Sequence, residues 1–302
     1  MHVTPLPNLD RQIRVGDSLA GSAFSSANLA SPASRAMCRL RDQYTRASGR
    51  RKVSLARLLD ILERERTLAA IEAAIASVIF ERREIVRSAR SRDLFNSRSQ
   101  PNARQRERLL YLRGRLRSLR RQYAAAQRGG ALAFTYPTHF ADVATAGGFD
   151  AVIGNPPWIR IHNVSGDDRA RYRDRFTVYR AGAWSDGARG AHAGTGFAGQ
   201  VDVAALFIER SIDLLAPNGT IGLLLPSKLW RSLAGGGVRQ LILDRRRVVS
   251  IEDHSSGPDA FDAAVYPSML VASCAAIGVT TPSEPVGSDI QIAVNTGDET
   301  SR

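Results

Sequence analysis

From residue 35 to residue 128 the chain holds one proline, Pro101, and two glycines, Gly49 and Gly114. A stretch so poor in turn formers has few options other than helix. Its apolar residues keep the helical period: Leu68, Ile71, Ile75 and Val78, then Leu109, Leu112, Leu116 and Leu119. Gln100-Pro101-Asn102 lies between the two runs and should break the helix. The pattern predicts an antiparallel helical hairpin over residues 35–130, close to a coiled coil in character.

The flanking regions have another grammar. Residues 1–34 hold one strand-like stretch, Gln12-Ile13-Arg14-Val15, which turns at Gly16 into Asp17-Ser18-Leu19. In residues 131–277 short apolar runs alternate with helical ones. Phe149–Gly154 is an apolar run with a turn at its end, as in a buried parallel strand. A glycine- and arginine-rich stretch at about 180–200 reads as loop. Val203–Leu215 is helical and stops at Pro217-Asn218-Gly219, and Thr220–Leu225 follows as a strand. Val248–Ile251 and Ser268–Ala272 add two more strands, and a weak one lies at Ile290–Val294. This order predicts an α/β fold with a mostly parallel, Rossmann-like sheet interrupted by the helical hairpin. The polar residues 278–302 read as a tail or linker.

Bulk composition narrows the class. The 302 residues are 43% hydrophobic, within the globular range. No apolar run approaches the ~20 residues of a membrane span, and Met1–Pro7 lacks a secretory pattern. Cys38 and Cys274 are too few for a disulfide framework and too far apart for a zinc spacing, so a cytoplasmic protein without a membrane partner is expected. The net charge of +13 favours a polyanionic partner. Lys52 and Lys228 are the only lysines, so arginine carries almost all of the excess.

The chemistry concentrates at Asn155-Pro156-Pro157-Trp158, directly after the Phe149–Gly154 strand. Active sites of open α/β sheets lie beyond the carboxyl ends of strands. An adenine amine is a poor nucleophile because its lone pair is delocalised into the ring. The Asn155 amide oxygen and the Pro156 carbonyl can each accept one of its N–H bonds and steer the lone pair toward an electrophilic methyl group. Proline at 156 fixes φ and aims its carbonyl. Trp158 offers a flat face for a base swung out of a duplex.

Phe149–Arg160, FDAVIGNPPWIR, resembles the catalytic motif of the N6-adenine DNA methyltransferases, Asn-Pro-Pro followed by Tyr, Phe or Trp. Ala133–Val143, AFTYPTHFADV, resembles the lead-in of the large type II restriction–modification methylases. Asp202–Arg231 is similar to their helix–turn–strand after the catalytic motif. Phe261–Leu270, FDAAVYPSML, looks like the later motif whose phenylalanine contacts the target base. Ile13–Leu19, IRVGDSL, resembles the segment whose acidic residue contacts the cofactor adenine. The resemblance implies methyl transfer from S-adenosylmethionine to adenine N6 in double-stranded DNA, with the adenine flipped out. It implies Asn155, Pro156 and Trp158 as catalytic residues, Pro157 and Phe261 as substrate contacts, and Asp17 as cofactor contact. No metal is needed for direct transfer to an amine. Residues 1–34 and 131–277 would form the methyltransferase core, with 35–130 inserted.

The family places a glycine-rich cofactor loop ahead of the IRVGDSL segment, and this sequence starts after that point. The expectation is therefore a partial core, completed by an amino-terminal segment or a companion subunit. Gly194–Gly199 matches G-x-G-x-x-G, but Ala188–Ala193 is unsuited to the buried strand such a loop requires. Several residues also have plain structural readings. Asp17 is a turn residue beside Gly16, Asp202 a helix N-cap, Phe261 a core residue. The arginines of 35–128 are a solvated face or a DNA contact. His139 and His162 flank the site without a chemical role. Two other functions stay open, methylation of a protein glutamine by the same corner and a non-catalytic DNA-binding or interaction module.

Overall fold

The structure is a computed structural model that describes residues 8–21, 32–89, 100–181, 200–245, 247–254 and 266–273, with the backbone of 291–294. The chain divides into two compact units, Met1–Asp142 and Val143–Arg302.

Unit 1 is helical. α1 (Pro32–Thr45) precedes the long pair α2 (Gly49–Ala89) and α3 (Ala103–Gln127), and α4 (Tyr136–His139) follows. Gly49, at φ +55°, makes the break between α1 and α2. Asn102 starts α3 with a reciprocal cap: its side chain accepts from the Gln105 N–H at 2.8 Å, and Gln105 Oε1 accepts from the Asn102 N–H at 2.9 Å. The unit holds two separate apolar clusters. Near the base, Met37, Tyr44, Ala47, Leu55, Leu59 and Ala141 pack together. Farther out, Val78, Leu112 and Leu116 are enclosed by α2 and α3 alone, with Ile75, Tyr111 and Leu119 around them.

A polar hub ties the base. Buried Glu63 receives Arg14 Nη2 at 2.7 Å and Arg41 Nη2 at 2.9 Å, with Arg11 Nη1 at 3.6 Å. Arg41 also reaches Asp142 at 3.0 Å and the Thr138 carbonyl at 3.3 Å. The hub thus links the amino-terminal segment, α1, α2 and residues 138–142. The expected strand at Gln12–Val15 does not form. These residues are irregular, and Ile13 and Val15 are 75% and 98% exposed. A strand needs a partner for its backbone groups, and none of the described strands pairs with this segment.

Unit 2 is α/β, as expected, and α5 (Ala141–Thr145) lies across the division. Its strands are β1 (Phe149–Gly154), β2 (Leu215–Pro226), β3 (Arg247–Asp253), β4 (Pro267–Ser273) and β5 (Gln291–Val294). They form one sheet in the order β1-β2-β4-β3-β5. β1 and β2 are parallel, β4 is antiparallel to both β2 and β3, and β5 is parallel to β3. Four strands therefore share one direction, and β4 is the single reversal among the described strands. β2 begins earlier than expected because Leu215 already pairs with Phe149. The Pro217-Asn218-Gly219 turn becomes an irregularity before Thr220 pairs with Ala151. Gly148 permits this approach: a Cβ there would lie 2.4 Å from the Ala216 nitrogen.

Two short helices, α6 (Gly166–Arg175) and α7 (Thr177–Ala181), precede the central helix α8 (Val203–Leu214). α8 is buried on nearly every side. Even Glu209 is inside, where it accepts from the N–H groups of Thr177 and Val178 at 2.8 and 2.9 Å and so caps α7. α9 (Lys228–Arg231) and α10 (Gly236–Arg245) complete the described α-helices of this unit. Ile221, Leu223, Leu225, Leu270 and Ala272 form the buried face of the sheet. On the opposite face Ile153 is 85% and Met269 40% exposed. β1 lies at one edge of the described sheet.

Candidate active site

The register aligns the strand ends. Gly154, Leu223, Leu270 and Ile251 occupy one row across the sheet. β1 stops at this row, whereas β2 runs on to Pro226. Asn155–Trp158 therefore turns off the carboxyl end of β1 beside the last residues of β2. Pro156 is buried and Trp158 half-buried, while Asn155 and Pro157 are exposed. The Trp158 indole N–H donates to the Leu224 carbonyl at 3.4 Å, which fixes the ring against the neighbouring strand end.

The chain leaving this corner is held by backbone bonds. The Val203 N–H donates to the Ile159 carbonyl at 2.7 Å, and the Ile161 N–H to the Val201 carbonyl at 2.9 Å. Between them Arg160 and Asp202 form an isolated antiparallel bridge. Asp202 is the N-cap of α8, accepting from the Ala204 N–H at 3.0 Å, so its structural reading holds. Its other oxygen lies 2.7 Å from Lys228 Nζ, off the hydrogen-bonding direction, so this contact is an ion pair rather than a directed bond. Asp202 is buried, and Lys228 follows the end of β2 by two residues.

The rest of this edge is also polar. The Trp230 indole donates to Ser268 Oγ at 2.7 Å, and Ser268 donates to the Leu225 carbonyl at 3.0 Å. Arg231 pairs with Asp253 at the end of β3. The Ser227 N–H donates to the Tyr266 carbonyl and the His254 N–H to the Pro267 carbonyl, closing the ends of β2, β3 and β4. Phe261, expected as a base contact, and Gly194–Gly199 lie outside the described residues.

Asp17 lies in unit 1. Its Oδ1 accepts from the N–H groups of Leu19 and Ala20 at 2.9 and 3.2 Å, so it shapes its own turn, and the residue is exposed. Gly16 packs directly on Phe134: a Cβ at Gly16 would lie 2.2 Å from the Phe134 Cβ. Ile13, Arg14, Glu63, Arg64, Phe134 and His139 are among the walls of a cavity of about 550 Å³ in the same unit. His139 is buried, stacks on Phe134 with ring centres 5.3 Å apart, and pairs through Nδ1 with the Thr135 backbone. Burial pushes its pKa down from the usual histidine range. No group of three or more potential metal ligands occurs among the described residues.

Residues 60–261 match the model of the Eco57I restriction-modification methylase family, which is more than half of the chain. The chain belongs to that family. It is 28% identical over 131 residues to the type II methyltransferase M.BstVI of Geobacillus stearothermophilus, covering 43% of this chain and 20% of the relative. It is 28% identical over 137 residues to M.PaeR7I of Pseudomonas aeruginosa, covering 44% of this chain and 20% of the relative. The chain thus spans about a fifth of the length of the curated relatives it matches. Among solved structures, a class I S-adenosylmethionine-dependent methyltransferase from Listeria monocytogenes is similar over 62% of this chain and 47% of that one, at 17% identity and a TM-score of 0.35.

Sequence reasoning missed Lys228 and the Leu224 carbonyl as parts of this corner. Lys228 had a signal, being one of two lysines and lying just past a buried strand. The Leu224 carbonyl had none, because its role depends on register. No described helix is long and apolar enough to cross a membrane.

Proposed function

We propose that this chain carries the target-amine half of an adenine-specific DNA methyltransferase, acting within a restriction–modification or related defence system. The observation that carries the reading is the Asn155–Trp158 corner at the carboxyl end of β1, with its indole held by the Leu224 carbonyl. S-adenosylmethionine supplies an electrophilic methyl group when bound. Asn155 and the Pro156 carbonyl orient the amine of a flipped adenine, and Trp158 stacks on the base. Pro157 is a further base contact in this reading, and the resemblance of Phe261–Leu270 to the later family motif adds Phe261. The corner needs no strong base, because the amine proton becomes acidic once the nitrogen is methylated.

For the cofactor, Asp17 is the residue this chain offers among those described. Its Oδ1 is committed to the turn, which fixes the carboxylate in an exposed position suited to the amino group of the cofactor adenine. The exposure of Ile153 and Met269 and the edge position of β1 in the described sheet favour a partner segment that completes the sheet. That segment would bring the glycine-rich loop, as an upstream stretch or a companion subunit.

The test is transfer of labelled methyl groups to duplex DNA by the chain together with a polypeptide carrying such a loop, followed by nucleoside mass spectrometry. N6-methyladenine is the expected product. Label recovered in another base or in a protein glutamine would overturn the assignment.

A further inference from the structure

α3 is far more basic than its partner. It carries eight arginines and a single acid, Glu107, in 25 residues. α2, with 41 residues, mixes nine basic and six acidic side chains. At about 100° per residue, Arg106, Arg113, Arg117, Arg120 and Arg121 fall on one face of α3, roughly 100° wide. All five are exposed. The buried seam of Leu112 and Leu116 faces another way, and the acids of α2 that meet α3 are used on that side. Glu81 pairs with Arg108, and Glu72 accepts from the Tyr123 hydroxyl. None of the five arginines has an ion pair among the described residues.

We infer that this face of α3 is a docking surface for the phosphate backbone of duplex DNA. From Arg106 to Arg121 the stripe runs about 22 Å at 1.5 Å per residue. A DNA strand presents about six phosphates over that length, close to the number of guanidinium groups. Planar guanidinium forks suit phosphate oxygens. A lipid surface fits poorly, because Leu110 is the one large apolar side chain on the stripe and interfacial helices need a full apolar face. The contact reads no bases, so it holds the duplex without choosing sequence. The inference rests on the proposed function only for the choice of DNA among polyanions.

The 302-residue chain, without cofactor, would be titrated against a fluorescein-labelled duplex at a series of salt concentrations. Replacing the five arginines by glutamine should reduce the magnitude of the slope of log K against log salt by about 4.5, at ~0.9 per phosphate contact. Arg113→Gln and Arg117→Gln singly should each lower it by about one, which keeps the result interpretable if the fivefold variant loses helicity. A control removing Arg50, Arg51, Arg57, Arg83 and Arg87 from α2 takes away the same charge and should change the slope much less. An equal loss in the control, or an unchanged slope in the α3 variants, overturns the inference. So does poly-L-glutamate displacing the duplex as effectively, charge for charge, as unlabelled DNA. Asn155→Ala should leave this slope intact while slowing methyl transfer by ~100-fold or more in the methylation assay, so the two readings fail separately.

Discussion

Lys228 Nζ lies 2.7 Å from a carboxylate oxygen of Asp202, and the carboxylate is almost wholly buried whereas the lysine is not. The two partners are therefore unequal. Lys228→Met strands a buried charge and should cost about 2 kcal/mol, below the range for fully buried pairs because the ammonium is partly solvated. Asp202→Asn keeps an acceptor for the Ala204 N–H and should cost about 1 kcal/mol. The double variant should be less damaging than the sum. Urea unfolding of all three would reveal it, and strict additivity would mean that the pair is not coupled.

The corner itself predicts a split between chemistry and base retention. On the proposed function, Asn155→Ala removes an acceptor that matters most as the amine becomes tetrahedral. Single-turnover methylation should slow by ~100-fold or more. Trp158→Ala removes stacking worth on the order of 1–3 kcal/mol and should weaken retention of the flipped base. Trp158→Phe keeps a flat ring but loses the donor to Leu224, so its base retention should fall between those of the parent and Trp158→Ala. Near-normal turnover by Asn155→Ala would refute the mechanism.

In unit 1, Glu63 is the common acceptor for Arg14 and Arg41, with Arg11 close by. Glu63→Gln leaves these guanidinium groups without their shared charge and should cost about 3 kcal/mol. The unfolding transition of this unit should shift to lower urea. An unchanged midpoint would show that water replaces the carboxylate at no cost.

His139 supplies a pH test. Its folded pKa is lowered chiefly by burial, so the unfolded chain takes up a proton first as pH falls. Stability should be full above the unfolded value of about 6.5 and decline below it, until pH passes the lower folded value. Comparing thermal unfolding at pH 7.5 and pH 5 should show this loss in the parent chain, and a smaller one in His139→Asn. The same pH response in both would assign the loss to other groups.

Where a signal is local, the sequence was easy to read. Pro101 and the Leu109–Leu119 period located α3, and Pro217-Asn218-Gly219 separated α8 from the regular part of β2. Phe149–Gly154 with Asn155–Trp158 behind it placed the corner at a strand end. What escaped depends on pairing across the chain. Gln12–Val15 has strand composition, yet a strand exists only through its neighbours. The Glu63 hub joins residues far apart in sequence: Arg41 read as one charge on a helical face, and Arg14 as part of a strand. The Lys228–Asp202 pair emerges only when the ends of β2 and the start of α8 meet.

The outer apolar cluster of the helical pair is enclosed by α2 and α3 alone, and the inner one draws on α1 and Ala141. The arm is therefore modular along its length. Adding seven residues to each helix, two turns apiece, would extend the seam by about 10 Å and return its residues to the same face. Adding three or four to one helix would rotate its outer part out of register. Its reach is thus free to vary in steps, while the base that carries Glu63 and Arg41 keeps its own packing.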